Sequence, residues 1–181
     1  MNQWILKLWR NLIFRYFFGL GFGVMLSVVL NDLPIFNQQL EKFVSFTNYN
    51  QWLTNLTYWQ LSFLGAPVHM DNMTITINEH SFYFAHGCLG LRHLTIFAGF
   101  MMVYFGKWHH KLIYCLVGFL VLTFANMMRA SLIGVALWIN PGLFEPVHQY
   151  GSAVVLYGTI FLLWIIWVKR EHKNKLATES K

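Results

Sequence analysis

Leu112-Ile-Tyr-Cys-Leu-Val-Gly-Phe-Leu-Val-Leu-Thr-Phe-Ala-Asn-Met-Met-Arg129 carries no charged side chain until its last position. At the helical rise it covers about 27 Å, close to the ~30 Å of a bilayer's hydrocarbon core. The run is therefore read as a spanning helix, with helix expected as far as Trp138 beyond the bilayer before Asn140-Pro141-Gly142 breaks it. The chain around it agrees. Of 181 residues, 56% are hydrophobic, 18% aromatic and only 11% charged, too apolar for an ordinary soluble domain. One membrane domain, 1–181, is expected, because a bundle of this size satisfies its backbone internally and has no room for a second core. No internal repeat or low-complexity tract interrupts it.

Working outward, a second span at 89–105 leads into the polar turn Gly106-Lys-Trp-His-His-Lys111, and a fourth at 149–168 ends in Lys169-Arg170. A first span at 12–30 follows Lys7, Arg10 and Arg15 and stops at Asn31-Asp32-Leu33-Pro34 without a small-x-small cleavage pattern. It reads as an uncleaved helix, with a cleaved signal peptide as the alternative. Residues 31–87 scatter Trp52, Tyr58 and Trp59 through Asn, Gln and Thr. They are expected to form an outer segment with an amphipathic helix near the interface. Within it, Met73-Thr-Ile-Thr-Ile77 and Ser81-Phe-Tyr-Phe-Ala85 flank Asn78-Glu79-His80, a hairpin that would deliver the chain to Cys88. The expected fold class is an all-α polytopic membrane protein with about four transmembrane helices, an outer amphipathic segment and a small β-hairpin before the second span.

Charge sets the orientation. Ten of the thirteen Lys and Arg fall on one side of these spans, leaving Lys42, Arg92 and Arg129. The positive-inside rule makes that side, with both termini, cytoplasmic. The formal charge of +6 does not signal nucleic acid, since the basic residues sit at the ends of apolar stretches and form no continuous face. Cys88 precedes an apolar run and Cys115 lies inside one, so no disulfide framework is expected.

An ionisable group at membrane depth costs at least ~2.5 kcal/mol and rarely persists without a task or a partner. Arg129 is the clearest case, and Asn126 three residues earlier shares its helix face, so both are expected to point into the bundle. The second span covers about 25 Å from Cys88 down to the turn, and the third returns about 27 Å up to Arg129. His148 heads the fourth span, just after Glu145-Pro146. A thiol, a guanidinium and an imidazole from three helices should thus meet at one outer level. Cysteine attacks as thiolate, which nearby cations favour. An imidazole can protonate a leaving amine, and a guanidinium can donate to a tetrahedral oxyanion. The trio fits acyl transfer or peptide cleavage just outside the membrane.

Plainer readings remain open for each residue. Cys88 can be a small buried hydrophobe, Arg129 a snorkelling or helix-joining residue, and His148 a helix cap. Cys115, without polar neighbours, reads as structural. Arg92, His86 and His93 read as supporting or structural, and His109 and His110 as solvated. A haem or metal site using His86, His93 and His148 is a further alternative. It is disfavoured because no pair has ligand spacing on facing mid-span helices.

Cys88-Leu-Gly-Leu91, Asn126-Met-Met-Arg129 and His148 with Gly151 three residues on, in that order, resemble the exosortase/archaeosortase family in a compact form. The likeness covers about residues 70–168. It departs from the family pattern at Leu89, where a small or polar residue is common, and in having four expected spans where many members have more. The resemblance implies a membrane-embedded cysteine transpeptidase or endopeptidase of the bacterial inner membrane, processing C-terminal sorting signals of secreted proteins on the periplasmic side. Carried over, Cys88 is the nucleophile, Arg129 the transition-state partner and His148 the proton shuttle. Gly90, Asn126, Arg92 and Glu145 are supporting residues, and no metal or cofactor is expected. The implied partner is a secreted protein with a recognition motif, a spanning helix and a basic tail, entering sideways from the bilayer. A non-enzymatic membrane assembly or scaffold protein is the alternative from a different class. The identity of the substrate and of the final acceptor is not written in the sequence.

Overall fold

The computed structural model describes residues 12–32, 46–104 and 106–179. The expectations for residues 1–11 and 33–45, including the first basic cluster and Pro34, lie outside the described residues. Among the described residues, five long helices carry the architecture: α1 (Leu12–Asp32), α2 (Phe46–Phe63), α3 (Leu91–Val103), α4 (Trp108–Ile139) and α5 (Ser152–Glu179). Between α2 and α3 stands a three-stranded antiparallel sheet of β1 (Val68–Asp71), β2 (Thr74–Ile77) and β3 (His80–Tyr83).

Helix α4 is the axis. Its 32 residues span about 48 Å, well beyond a ~30 Å hydrocarbon core. Leu116, Leu120 and Phe124 lie exposed along it, as suits a surface against lipid. Its C-terminal third instead packs on polar-rich elements: Ser131 Oγ bonds Gln60 of α2, and Leu61 and Ile77 crowd Gly134. The expected continuation of helix beyond Arg129 is thus present, and it is held by the segment preceding α3. A helical stretch from Pro141 to Glu171 is likewise long and apolar enough to cross a membrane, while Phe17–Asn31 and Leu91–Val103 are shorter apolar helices.

Two expected boundaries shift for local reasons. The helix expected at 89–105 runs only over Leu91–Val103, about 20 Å, because Gly90 is left-handed at its start and Tyr104 is extended at its end. The helix expected to begin at Gln149 instead opens with a π-helical turn, Val147–Gly151, before regular helix from Ser152. Residues 46–63 do form a helix, with Leu53, Thr54, Thr57 and Leu61 inward and Trp52, Trp59 and Phe63 outward.

The expected hairpin is the β2–β3 pair, closed by Asn78-Glu79, with Ile77 opposite His80. It gains a third strand, β1, paired through Asn72-Met73. Val68-His-Met-Asp71 has only two apolar residues, and its turn lacks the glycine that marks tight hairpins. Asn72 and Asn78 take the left-handed conformation in the two turns, at φ 51 and 53°. Ile75 and Ile77 point from β2 into a cluster with Leu61 and Ala66, which fastens the sheet to α2 and α4.

The main core joins α3, α4 and α5 through aromatic packing. Phe100 stacks on Trp164 at 4.6 Å, Tyr114 lies 4.9 Å from Trp167, and the Tyr114 hydroxyl donates to the Leu163 carbonyl at 2.7 Å. Helix α1 docks on α3 by backbone approach. A Cβ on Gly99 would lie 2.7 Å from Gly23 Cα, and one on Gly23 would strike the Ile96 carbonyl. Gly19, one turn before Gly23, faces Phe100. This small-xxx-small stripe is how apolar helices approach closely where hydrophobic burial alone cannot drive association.

Candidate active site

The chain leaves β3 through Phe84, makes one 3₁₀ turn at His86–Cys88 and enters α3. The Cys88 amide donates to the Ala85 carbonyl at 2.7 Å, and Leu89 is buried against Leu53, Phe84 and Ala130. Gly90 then turns the chain with φ 79°. A Cβ there would meet the Asn126 side chain at 3.2 Å, so glycine serves both the left-handed backbone and the close passage of α4. Cys88 is thereby held half-buried at the mouth of α3.

From α4, Asn126 and Arg129 reach this turn together, as their spacing predicts. Asn126 Nδ2 donates to the Cys88 carbonyl at 3.1 Å. Arg129 Nη1 donates to the same carbonyl at 3.4 Å and to Asn126 Oδ1 at 3.3 Å. Its other terminal nitrogen, Nη2, lies 3.7 Å from Cys88 Sγ. Asn126 and Arg129 are only 1% and 7% exposed. Among the described residues no carboxylate pairs with Arg129; its neighbours are a carbonyl, an amide oxygen and a sulfur.

His148 projects from the π-helical turn at the head of α5, with Phe144 stacked on its ring at 5.5 Å and 11°. It shares with Cys88 and Arg129 a cavity of about 60 Å³ whose walls include Phe82, Phe84 and Phe144. The three residues expected at one level therefore surround one space. Of the supporting residues, Asn126 and Gly90 hold the cysteine turn. Arg92 is exposed and lines a second cavity, and Glu145 is exposed on the turn Phe144–Pro146 and lines neither. Cys115 lies on α4 far below, beside Leu94 and Phe119. Both cysteines are free thiols.

The second cavity, about 420 Å³, is what the sequence does not disclose. Arg129 lines it as well, together with Asn31 of α1, Arg92 and His93 of α3, and Ser152 and Tyr157 of α5. Arg129 thus lines both a small chamber rich in aromatic side chains and a larger, more polar one. His93 follows Arg92 in the Cys-Leu-Gly-Leu-Arg-His run, and its position in the first turn of α3 was the available signal. Among the described residues no group of three or more His, Cys, Asp or Glu is placed to hold a metal ion, and the His86 side chain lies outside them.

A long-helix bundle whose buried arginine meets a cysteine instead of a carboxylate defines a helical protein organised around a thiol. A sequence model of the transmembrane exosortases matches residues 5–175, and the chain belongs to that family of membrane cysteine transpeptidases, which act on the sorting signals of secreted proteins. No curated protein and no solved structure matches the chain.

Proposed function

We propose that this chain cleaves secreted proteins at a C-terminal sorting signal through a thioester on Cys88. Cys88 Sγ attacks the scissile carbonyl carbon, Arg129 donates to the resulting oxyanion, and His148 passes a proton to the leaving amine. An amine or water then resolves the thioester. The observation that carries this reading is the buried Arg129 guanidinium with no carboxylate partner among the described residues and with Nη2 3.7 Å from the thiol sulfur. Burying that charge costs about 2.5–3.5 kcal/mol on insertion scales, a cost that a merely structural residue has little reason to carry.

The same reading places four spans in the inner membrane, with α3, at about 20 Å, the shortest of them, both termini cytoplasmic and the cavity that Cys88 lines at the periplasmic face. It is supported by the basic side of the charge distribution and by the polar-rich α2 and sheet packed around the far end of α4. The substrate would carry a short recognition motif, its own spanning helix and a basic tail, and would approach from the bilayer.

The test is maturation of sorting-signal proteins in the native host. Cys88→Ala should abolish the C-terminal mass shift, while Cys115→Ala leaves it unchanged; normal maturation with Cys88→Ala refutes the nucleophile. One observation favours a second reading, a scaffold in which the cluster only joins helices: Asn126 and Arg129 both clamp the Cys88 carbonyl. That reading makes Cys88→Ala silent in maturation.

A further inference from the structure

His93 is a half-buried imidazole that the scheme above does not use. It sits in the first turn of α3, its ring edge-to-face with Tyr157 of α5 at 4.9 Å. Its Nδ1 is fully buried and makes no hydrogen bond. A neutral imidazole has one donor and one acceptor nitrogen, and burying either without a partner is unfavourable. His93 lines the 420 Å³ polar cavity, which reaches the cysteine turn through Gly87 and is also lined by Arg129, while Cys88 and His148 line the smaller one.

A transpeptidase needs two routes at its thioester, one by which the cleaved amine departs and one by which the next nucleophile arrives. Arg129 lines both cavities, and each has a histidine in its wall. The larger and more polar one has room for a hydrated acceptor; the smaller, walled by phenyl rings, does not.

We propose that His93 is the base of the second half-reaction, serving an acceptor amine or water held in the larger cavity. This rests on the thioester reading above and assigns His148 to the departing amine alone. In the step, a nitrogen or oxygen of the acceptor bonds to the thioester carbonyl carbon. The acceptor's proton passes to the His93 imidazole, and the carbon–sulfur bond breaks with its electron pair leaving on Cys88 Sγ, opposite Arg129. The imidazolium proton then passes, directly or through water, to the Cys88 thiolate, which restores the thiol and the neutral imidazole.

The experiment uses the full-length tagged chain in its native membranes, in a Cys115→Ala background so that Cys88 is the sole thiol. His93→Gln and His93→Asn are compared with wild type for covalent protein adducts on the tagged chain, detected without thiols and identified by mass. A general base contributes about 10²–10⁴-fold, so resolution should slow at least a hundredfold and the adduct should accumulate. Neutral hydroxylamine, which attacks thioesters without base assistance, should discharge it. An added Cys88→Ala should remove it.

Alkylation of Cys88 by an externally added maleimide at the wild-type rate shows that the variants keep the site intact. The proposal is overturned if both variants mature substrate at the wild-type rate. It is also overturned if they lose maturation without accumulating adduct while Cys88 still alkylates normally, since His93 would then act before the thioester. Loss of Cys88 alkylation in both variants would make His93 a packing residue and equally overturn it. Normal maturation with Cys88→Ala alone instead removes the thioester reading beneath it.

Discussion

Replacing Arg129 by Gln separates catalysis from architecture, because its expected effects on rate and stability differ in size. In the native cluster Arg129 donates to the Cys88 carbonyl, to Asn126 Oδ1 and towards Cys88 Sγ. The Cys88 carbonyl keeps its bond from Asn126 Nδ2 after the substitution, so Asn126 Oδ1 is the one oxygen stripped of a donor, and Cys88 Sγ loses only a weak contact. An unsatisfied buried acceptor costs about 1–3 kcal/mol. Removing a charge buried near lipid returns about 2.5–3.5 kcal/mol. The terms oppose, and net stability should change by no more than about 2.5 kcal/mol. For a chain of this size that is at most about 10 °C in Tm. The rate has no such compensation. Loss of one preorganised oxyanion donor costs about 10²–10³-fold, or 2.7–4 kcal/mol of barrier. Thermal shift in detergent and timed maturation in the host measure the two quantities on the same variant. Maturation within threefold of wild type would refute the transition-state role. A collapse of Tm in step with the rate would make Arg129 a structural clamp.

Two further substitutions test the supports of the cluster. Gly90→Ala places a methyl in a left-handed residue 3.2 Å from Asn126; it should lower stability by about 1–2 kcal/mol and slow maturation, read by thermal shift and by the same timed assay. Gly23→Val should loosen α1 from α3, lowering Tm, because its side chain would strike the Ile96 carbonyl, whereas Gly21→Val, which meets nothing within 4 Å, should leave Tm unchanged. Equal Tm changes for the two would show that α1 does not dock through this stripe.

Much of the site was legible because helical geometry makes depth and facing a matter of counting. Asn126 and Arg129 share a face by their spacing, and equal travel down one helix and up the next brings Arg129 back to the level of Cys88. The long α4 and the β2–β3 hairpin were legible for a similar reason, since a sustained apolar run and a period-two alternation are local signals. The β1 strand was not, because its pairing partner, and not its own composition, makes it a strand. The docking of α1 was written in Gly19 and Gly23, but which helix that stripe meets depends on Gly99, far away in the chain.

What the sequence by itself determined is the succession of apolar helices, the polar-rich segment that precedes Cys88 and the order of cysteine, arginine and histidine along them. Those follow from local hydropathy and helical rise, which act within one element at a time. Only the tertiary structure decided that Arg129 lines two cavities of different polarity, that Phe144 stacks on His148 and that His93 lines the larger space. These depend on how α1, α3 and α5 pack around α4. Packing is set by side-chain contacts between residues tens of positions apart, which no window along the chain contains.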